Sequence, residues 1–189
     1  ERELEKDPGR QFIGTMSPPL FLLLSIFIAH GIELLTPDAA THFESKLAGV
    51  VMGSDINLLI FRAVTFSLFP LVMSVGCLNR LHSHPDRETL RPPFFTQCFY
   101  VAPFALLESL AMSLGRMGVP SLAWAPLLIG VFALVWYIAV QTHWIGEKLA
   151  VGVGRAFVIA VRLFVTALVL MLLCVLALVI PDVMDALHS

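Results

Sequence analysis

The sequence predicts an all-α integral membrane protein with five transmembrane helices. Hydrophobic residues make up 58% of its 189 residues and charged residues only 14%, and its mean hydropathy is +0.86. A soluble domain carries roughly 25% charged residues because it needs a polar exterior. A protein in a bilayer can instead expose apolar side chains to lipid. The composition, the apolar stretches and the placement of lysines and arginines all favour the membrane class.

A transmembrane helix needs about 20 mostly apolar residues. Five stretches meet this requirement, at residues 19–36, 57–78, 94–114, 121–142 and 156–180. The predicted organisation is a cytoplasmic segment at 1–17, a five-helix transmembrane domain at 18–181 and an outside tail at 182–189.

Prolines mark several of these stretches. Pro92-Pro93 and Pro120 precede the third and fourth spans, where the missing N–H of proline costs nothing. Pro70, Pro103 and Pro126 lie inside spans and predict kinks.

The distribution of basic residues predicts the orientation. If the N-terminus is cytoplasmic, only Lys46 and Arg116 fall in loops on the outer side. The cytoplasmic side then carries Arg2, Lys6, Arg10, Arg80, Arg87, Arg91, Lys148 and Arg155. Cytoplasmic loops are enriched in Lys and Arg, so we expect the N-terminus inside and the C-terminus outside.

Two connecting segments have some pattern of their own. Residues 38–56 are too polar to span a bilayer, but their apolar residues recur at helical spacing, which predicts a helix lying flat on the membrane. The loop from Arg80 to Arg91 contains His82 and His84. A metal site would need further ligands, so a solvated loop is the favoured interpretation and metal or partner docking the alternative.

The sequence contains no phosphate loop, dinucleotide fingerprint, nucleophile elbow or metal-ligand pair at diagnostic spacing. We therefore predict no catalytic residue, no metal and no cofactor, and hence a protein that is not an enzyme. The net charge is −2 and the basic residues are scattered, so no nucleic-acid partner is expected. Cys77, Cys98 and Cys174 lie inside apolar spans and are interpreted as small buried hydrophobic residues.

Ionisable residues within the spans are the sharpest chemical signal, because a charge at the bilayer centre costs about 2.5–3.5 kcal/mol on insertion scales. Glu33, Arg62 and Glu108 fall roughly 4, 8 and 9 Å below the outer surface at 1.5 Å per residue. Similar depth would allow them to pair if the helices adjoin. His30 lies one turn from Glu33 on the same helical face.

The predicted intramembrane cluster is therefore His30, Glu33, Arg62 and Glu108. The favoured interpretation is an interhelical ion pair that fixes packing. The alternatives are an outward-facing polar pocket for a proton, ion or small anion, and a metal or catalytic site, which the nearby arginine disfavours.

A second set of polar residues lies near the inner ends of the last two spans. Arg162 is predicted to extend toward the inner phosphates, or to contact Glu147, His143 or Gln141.

Small residues predict close helix approach at Gly146, Gly152 and Gly154 and along the Ala156 and Ala160 face. The rest of the fifth span is almost purely aliphatic, which predicts contact with lipid or with a hydrophobic partner helix.

The layout resembles the Yip1-type membrane domain, including its bacterial members labelled as permeases. The segment 17–22 (SPPLFL) is similar to the Ser-Pro entry of the first span in such proteins, and Phe69-Pro70 and Ala102-Pro103 are similar to their proline-bearing spans. The acidic N-terminal motif of the eukaryotic members is missing. The resemblance implies a non-enzymatic membrane protein that acts through contacts with partners, in a bacterial inner membrane.

The sequence thus predicts a non-enzymatic accessory or organising subunit of a membrane complex. Its expected partners are the lipid bilayer and other membrane proteins or further copies of itself. The alternative is a small permease or ion pathway using the intramembrane cluster.

Overall fold

The computed structural model describes residues 16–34, 55–82, 84–117 and 123–188. Within these ranges the chain is all-helical, with five helices and no strand, as the sequence predicts. The helices are α1 (Pro18–Leu34), α2 (Asp55–Arg80), α3 (Arg87–Arg116), α4 (Ala125–Leu149) and α5 (Val153–His188). The predicted interfacial segment lies outside the described residues, except for its last two positions, which begin α2.

Four of the described helices contain a stretch long and apolar enough to cross a membrane. These stretches are Arg62–Arg80, Arg87–Arg116, Ala125–Leu149 and Val153–Cys174. The helix α1 is also apolar but its described part has 17 residues. The membrane class predicted from composition is thus matched by four helices of sufficient length.

The third helix begins about two turns before the predicted span. Asp86 is its N-cap and accepts hydrogen bonds from the backbone N–H groups of Glu88 and Thr89, while the Thr89 hydroxyl closes a capping box. The hydrogen bond that Asp86 accepts from the Thr89 backbone N–H is the largest of the causes that hold the pKa of Asp86 below its usual value. Because this cap fixes the start of α3 at Arg87, Pro92 and Pro93 lie inside the helix. The prediction that these prolines mark the start of the third helix was therefore wrong.

The fourth and fifth helices also differ from their predicted bounds. Pro126 lies in the first turn of α4, where no intrahelical N–H is needed, so the kink predicted inside a span at Pro126 was wrong. Pro70 and Pro103 do lie inside α2 and α3. The helix α4 continues beyond residue 142 to Leu149, and α5 continues beyond residue 180 to His188.

Helix α3 is the centre of the bundle and packs against α1, α2 and α4, while α5 packs against α4 and α2. The ends of α1 and α3 meet the first turns of α2 through contacts of Glu33 with Arg62 and Arg116. We call this the Glu33 end. The opposite end holds the short turn between α4 and α5, residues 150–152, and we call it the hairpin end.

Four aromatic rings form the middle of the core, one from each of α2 to α5. Phe69, Phe104, Tyr137 and Phe164 make all six possible pairwise ring contacts, with centroid separations from 4.7 to 6.4 Å. Phe104 stacks on Tyr137, and the Phe69 ring meets Tyr137 edge-on at 87°. We call these four rings the aromatic layer.

The hairpin between α4 and α5 is closed by small residues. Ala150 adopts the left-handed conformation with φ 49°, which ends α4. A Cβ on Gly146 would lie 3.6 Å from the Cβ of Ala156, and Ala156 and Ala160 are fully buried. Close approach is therefore found at these positions, whereas a Cβ on Gly152 or Gly154 would meet nothing within 4 Å.

The three cysteines are free thiols in two different environments. Cys77 and Cys98 are buried in the core, as predicted, whereas Cys174 on α5 is exposed. The prediction of burial was wrong for Cys174, which lies on a stretch of α5 where Leu172 and Leu173 are also exposed.

We expect Phe69→Leu to destabilise the protein by about 2 kcal/mol, because it removes four ring pairs, three within the aromatic layer and one with Phe66, worth roughly 0.5–1.5 kcal/mol each. Phe132→Leu is the matched control, since Phe132 on α4 is exposed. Thermal unfolding of both variants in the same mild detergent measures the difference. Equal midpoints for the two variants would show that the aromatic layer adds nothing beyond apolar volume.

Candidate functional site

The Glu33 end of the bundle contains an ion cluster drawn from three helices. Glu33 lies in the last turn of α1, and its side chain is only 3% exposed. Its Oε2 accepts a hydrogen bond from Nη2 of Arg62 on α2 and lies 3.4 Å from Nη1 of Arg116 on α3. Nη1 of Arg62 is in turn 3.5 Å from Nδ1 of His30. We call these four residues the Glu33 cluster.

Three of the four residues named from the sequence are therefore in contact, but Glu108 is not among them. Its Oε2 lies 3.9 Å from the position that a Cβ on Gly130 would take, so it faces α4. Within the described ranges Glu108 forms no ion pair. Glu108 and Arg116 are eight residues apart on α3, which is about 12 Å along the helix axis and about 80° around it.

Arg116 is the cluster member that sequence reasoning missed. It was assigned to an outer loop because the predicted third span ends at residue 114, whereas α3 continues through Arg116. A weak signal was present, because only Gly115 separates the predicted end of the span at residue 114 from this arginine. Its side chain is 34% exposed, so the cluster reaches the surface at this point.

The charges in the Glu33 cluster do not balance. Two guanidinium groups surround one carboxylate, so the cluster carries a net charge of about +1 when His30 is neutral. Both arginines approach Oε2, and Oε1 of Glu33 is buried without a hydrogen-bond partner within the part of the chain that the structure describes. A carboxylate in an apolar environment would be costly alone, and the arginines supply the compensating charge.

A second polar contact crosses the bundle on the other side of the aromatic layer. Gln97 on α3 and Gln141 on α4 are fully buried and exchange two hydrogen bonds between their side-chain amides, at 3.0 and 2.6 Å. Each amide supplies one donor and one acceptor, so the pair is satisfied without water. Gln141 was named from the sequence only as a possible contact of Arg162, and its partner was missed.

The inner polar residues are only partly brought together. Nδ1 of His143 lies 3.7 Å from the Glu147 carboxylate, one turn away on α4, and both side chains are exposed. Arg162 is exposed and forms no ion pair with any described residue. Its predicted contact with His143, Glu147 or Gln141 is therefore not formed.

An elongated groove runs along the surface between α4 and α5 and has a volume of about 1060 Å³. Its walls are almost entirely apolar, and the exposed His143 and Glu147 lie at one side. Gly146 and Gly154 contribute to its floor. We call it the α4–α5 groove.

No group of three or more His, Cys, Asp or Glu side chains that could hold a metal occurs within the residues that the structure covers. His82 and His84 lie in the turn before α3 and are exposed. The backbone carbonyl of His84 accepts a hydrogen bond from the Thr89 hydroxyl, which ties it to the α3 cap.

The cluster geometry predicts which substitutions compensate one another. Arg62→Leu should destabilise the protein by about 2–3 kcal/mol, somewhat below the usual 3–5 kcal/mol for a broken buried pair, because Arg116 still neutralises Glu33. Adding Glu33→Gln should recover most of this loss, whereas adding Glu108→Gln should recover none. Unfolding free energies of the single and double variants test this, and rescue by Glu108→Gln alone would contradict the observed pairing.

Comparison with models of protein families, with curated proteins and with solved structures found no match. Any functional assignment therefore depends on the geometry of the described helices.

Proposed function

We propose that the chain is a five-span membrane protein that serves as a non-enzymatic accessory or organising subunit of a membrane complex. In this proposal the N-terminus is cytoplasmic, the C-terminus is outside and the membrane is a bacterial inner membrane. The observation that carries it is the α4–α5 groove together with the exposed apolar side chains around it. Partner contact through these helices is the role that this surface fits best.

The arrangement of charges supports the orientation. Arg80, Arg87, Lys148 and Arg155 all lie at or near the hairpin end. At the Glu33 end, Arg62 and Arg116 are engaged with Glu33. An excess of basic residues at the hairpin end is what a cytoplasmic face carries.

The α4–α5 surface supports the partner role. Helices in a bilayer associate through close packing and small residues rather than through hydrophobic burial. The groove presents Ala139, Gly146 and Gly154 at its floor and the larger Phe157 and Val161 at its wall. A Cβ on Gly154 would meet nothing within 4 Å, so a second helix can approach the α5 backbone there.

The packing of the interior also favours an accessory role over a transport role. The two polar contacts across the bundle, at Glu33 and at Gln97, are separated along α3 by Phe104, which belongs to the aromatic layer. A pathway through the centre of the bundle would have to displace four mutually packed rings.

We expect Gly154→Trp to reduce co-purification of a stoichiometric membrane partner about tenfold, equivalent to 1.4 kcal/mol of binding free energy. The new side chain would start in open space, since a Cβ on Gly154 meets nothing within 4 Å, and its indole would occupy part of the groove. Gly31→Trp on α1 is the matched control, because a Cβ there also meets nothing within 4 Å.

The measurement is native mass spectrometry of the complex after gentle extraction, with each chain identified and with photo-crosslinking from Ala139. A monomer that carries only lipid, both for the unsubstituted chain and for Gly154→Trp, would contradict the accessory role.

A small proton or ion pathway is the second candidate. It is favoured by Oε1 of Glu33, which has no hydrogen-bond partner among the described residues, and by the partly exposed Arg116 next to this carboxylate. Carboxylates within a membrane often mark ion and proton pathways. This pathway would open at the Glu33 end.

The accessory proposal predicts that the purified protein in liposomes gives no proton flux above that of empty liposomes, and that Glu33→Gln leaves this unchanged. A dye-based flux assay across pH 5 to 8 measures it, with Glu108→Gln as the control. Flux that Glu33→Gln abolishes and Glu108→Gln preserves would establish the pathway instead.

A further inference from the structure

A second groove lies at the hairpin end between α2 and the first turns of α3, with a volume of about 490 Å³. Its lining combines two arginines with apolar side chains. The lining residues are Leu71, Arg87, Leu90, Arg91, Phe94 and Phe95. We call it the arginine groove. It is separate from both the α4–α5 groove and the Glu33 cluster.

The arginine groove is amphipathic along its length. Arg87 is the first residue of α3 and Phe95 lies eight residues further, about 12 Å deeper along the helix axis. Leu71 lines the groove from α2 and is exposed. A ligand that fits must therefore carry an anionic group at one end and an apolar chain at the other.

The two guanidinium groups are available to such a ligand. Arg87 and Arg91 are exposed and one helical turn apart. Neither forms an ion pair with a carboxylate in the described ranges. The guanidinium carbon of Arg91 lies 5.2 Å from the centroid of the Phe95 ring, a cation–π contact that holds this side chain against the groove wall.

The neighbouring acidic residues do not neutralise these arginines. Asp86 is engaged as the N-cap of α3, where it accepts from two backbone N–H groups and from Thr89. Glu88 is exposed and is in no ion pair with a described residue. The same cap occupies the backbone donors of the first turn, so recognition of an anion falls to the arginine side chains.

We propose that the arginine groove binds one anionic phospholipid, with its phosphate at Arg87 and Arg91 and one acyl chain along Leu71, Phe94 and Phe95. Guanidinium groups bind phosphate through two parallel hydrogen bonds. The apolar wall distinguishes a phospholipid from a soluble phosphate. The site rests only on insertion of the hairpin end into a bilayer and is independent of the accessory role.

The test is native mass spectrometry of the detergent-solubilised full chain titrated with phosphatidylglycerol or phosphatidylcholine of equal chain length. We expect one phosphatidylglycerol to bind in preference to phosphatidylcholine. Arg87→Gln and Arg91→Gln should each weaken this binding about fivefold, in line with the contribution of one basic residue at a membrane surface. Arg91→Lys should keep part of the affinity, because it keeps the charge but loses the planar fork.

Arg155→Gln is the matched control, because Arg155 is exposed at the same end but outside the groove. It should leave the binding unchanged. If Arg155→Gln weakened phosphatidylglycerol binding as much as Arg87→Gln and Arg91→Gln do, the lipid would be held by diffuse attraction to a basic surface. That result would overturn the site. Displacement of the lipid by glycerol 3-phosphate at the same concentration would show a phosphate site without an acyl-chain requirement and would also overturn it.

Folding of the variants is checked by their thermal unfolding in lipid-free detergent. Because Arg87 and Arg91 are exposed, their midpoints should match the unsubstituted chain. As a second check, Phe94→Ala should weaken the binding of phosphatidylglycerol and leave any weak binding of glycerol 3-phosphate unchanged. Equal effects on both ligands would contradict a role for the apolar wall.

Discussion

The mutual packing of Phe69, Phe104, Tyr137 and Phe164 is the contact on which the bundle depends. Lipid tails are as apolar as the side chains of the core, so burial of apolar surface does little to hold helices together in a bilayer. Aromatic rings add a preference for particular distances and angles that lipid cannot supply equally well. One ring from each of four helices meets at this layer, so the relative rotation of α2 to α5 is fixed there.

Polar contacts on either side of that layer also help to fix the relative positions of the helices. The paired amides of Gln97 and Gln141 join α3 to α4, and Glu33 joins α1 to α2 and α3. Each group would lack a partner if its helix rotated, and an unpaired polar group in hydrocarbon is unfavourable. The first helix has no ring in the aromatic layer, and its position is set by the carboxylate together with the Phe21–Phe99 ring contact and the buried Leu22 and Ile26.

Hydropathy was enough to predict the helical class and the approximate place of each described helix, because lipid imposes the same apolar requirement along a whole span. It was a poor guide to helix ends. The start of α3 is set by the Asp86 cap outside the apolar stretch, and the end of α3 extends to a charged residue that a hydropathy window excludes.

The candidate cluster was predicted in part for a similar reason. Residue depth can be counted along a span, which placed His30, Glu33 and Arg62 at one level. The side of the helix that faces each neighbour depends on the packing of the whole bundle, and this is why Glu108 was included. Arg116 was left out because the predicted span ended at residue 114, before the end of α3. The Gln97 and Gln141 pair had a readable signal, since each is a strong hydrogen-bonding group inside an apolar span.

The three-residue connection at residues 150–152 has a consequence for how the chain enters a membrane. Ala150 reverses the chain within one residue of the end of α4, and Ala156 already packs against Gly146 on the returning helix. Two helices joined so tightly cannot be inserted one after the other with a long loop waiting between them. If both helices cross the membrane, as we propose, this tight turn favours their insertion together as one hairpin, with Lys148 and Arg155 flanking the turn.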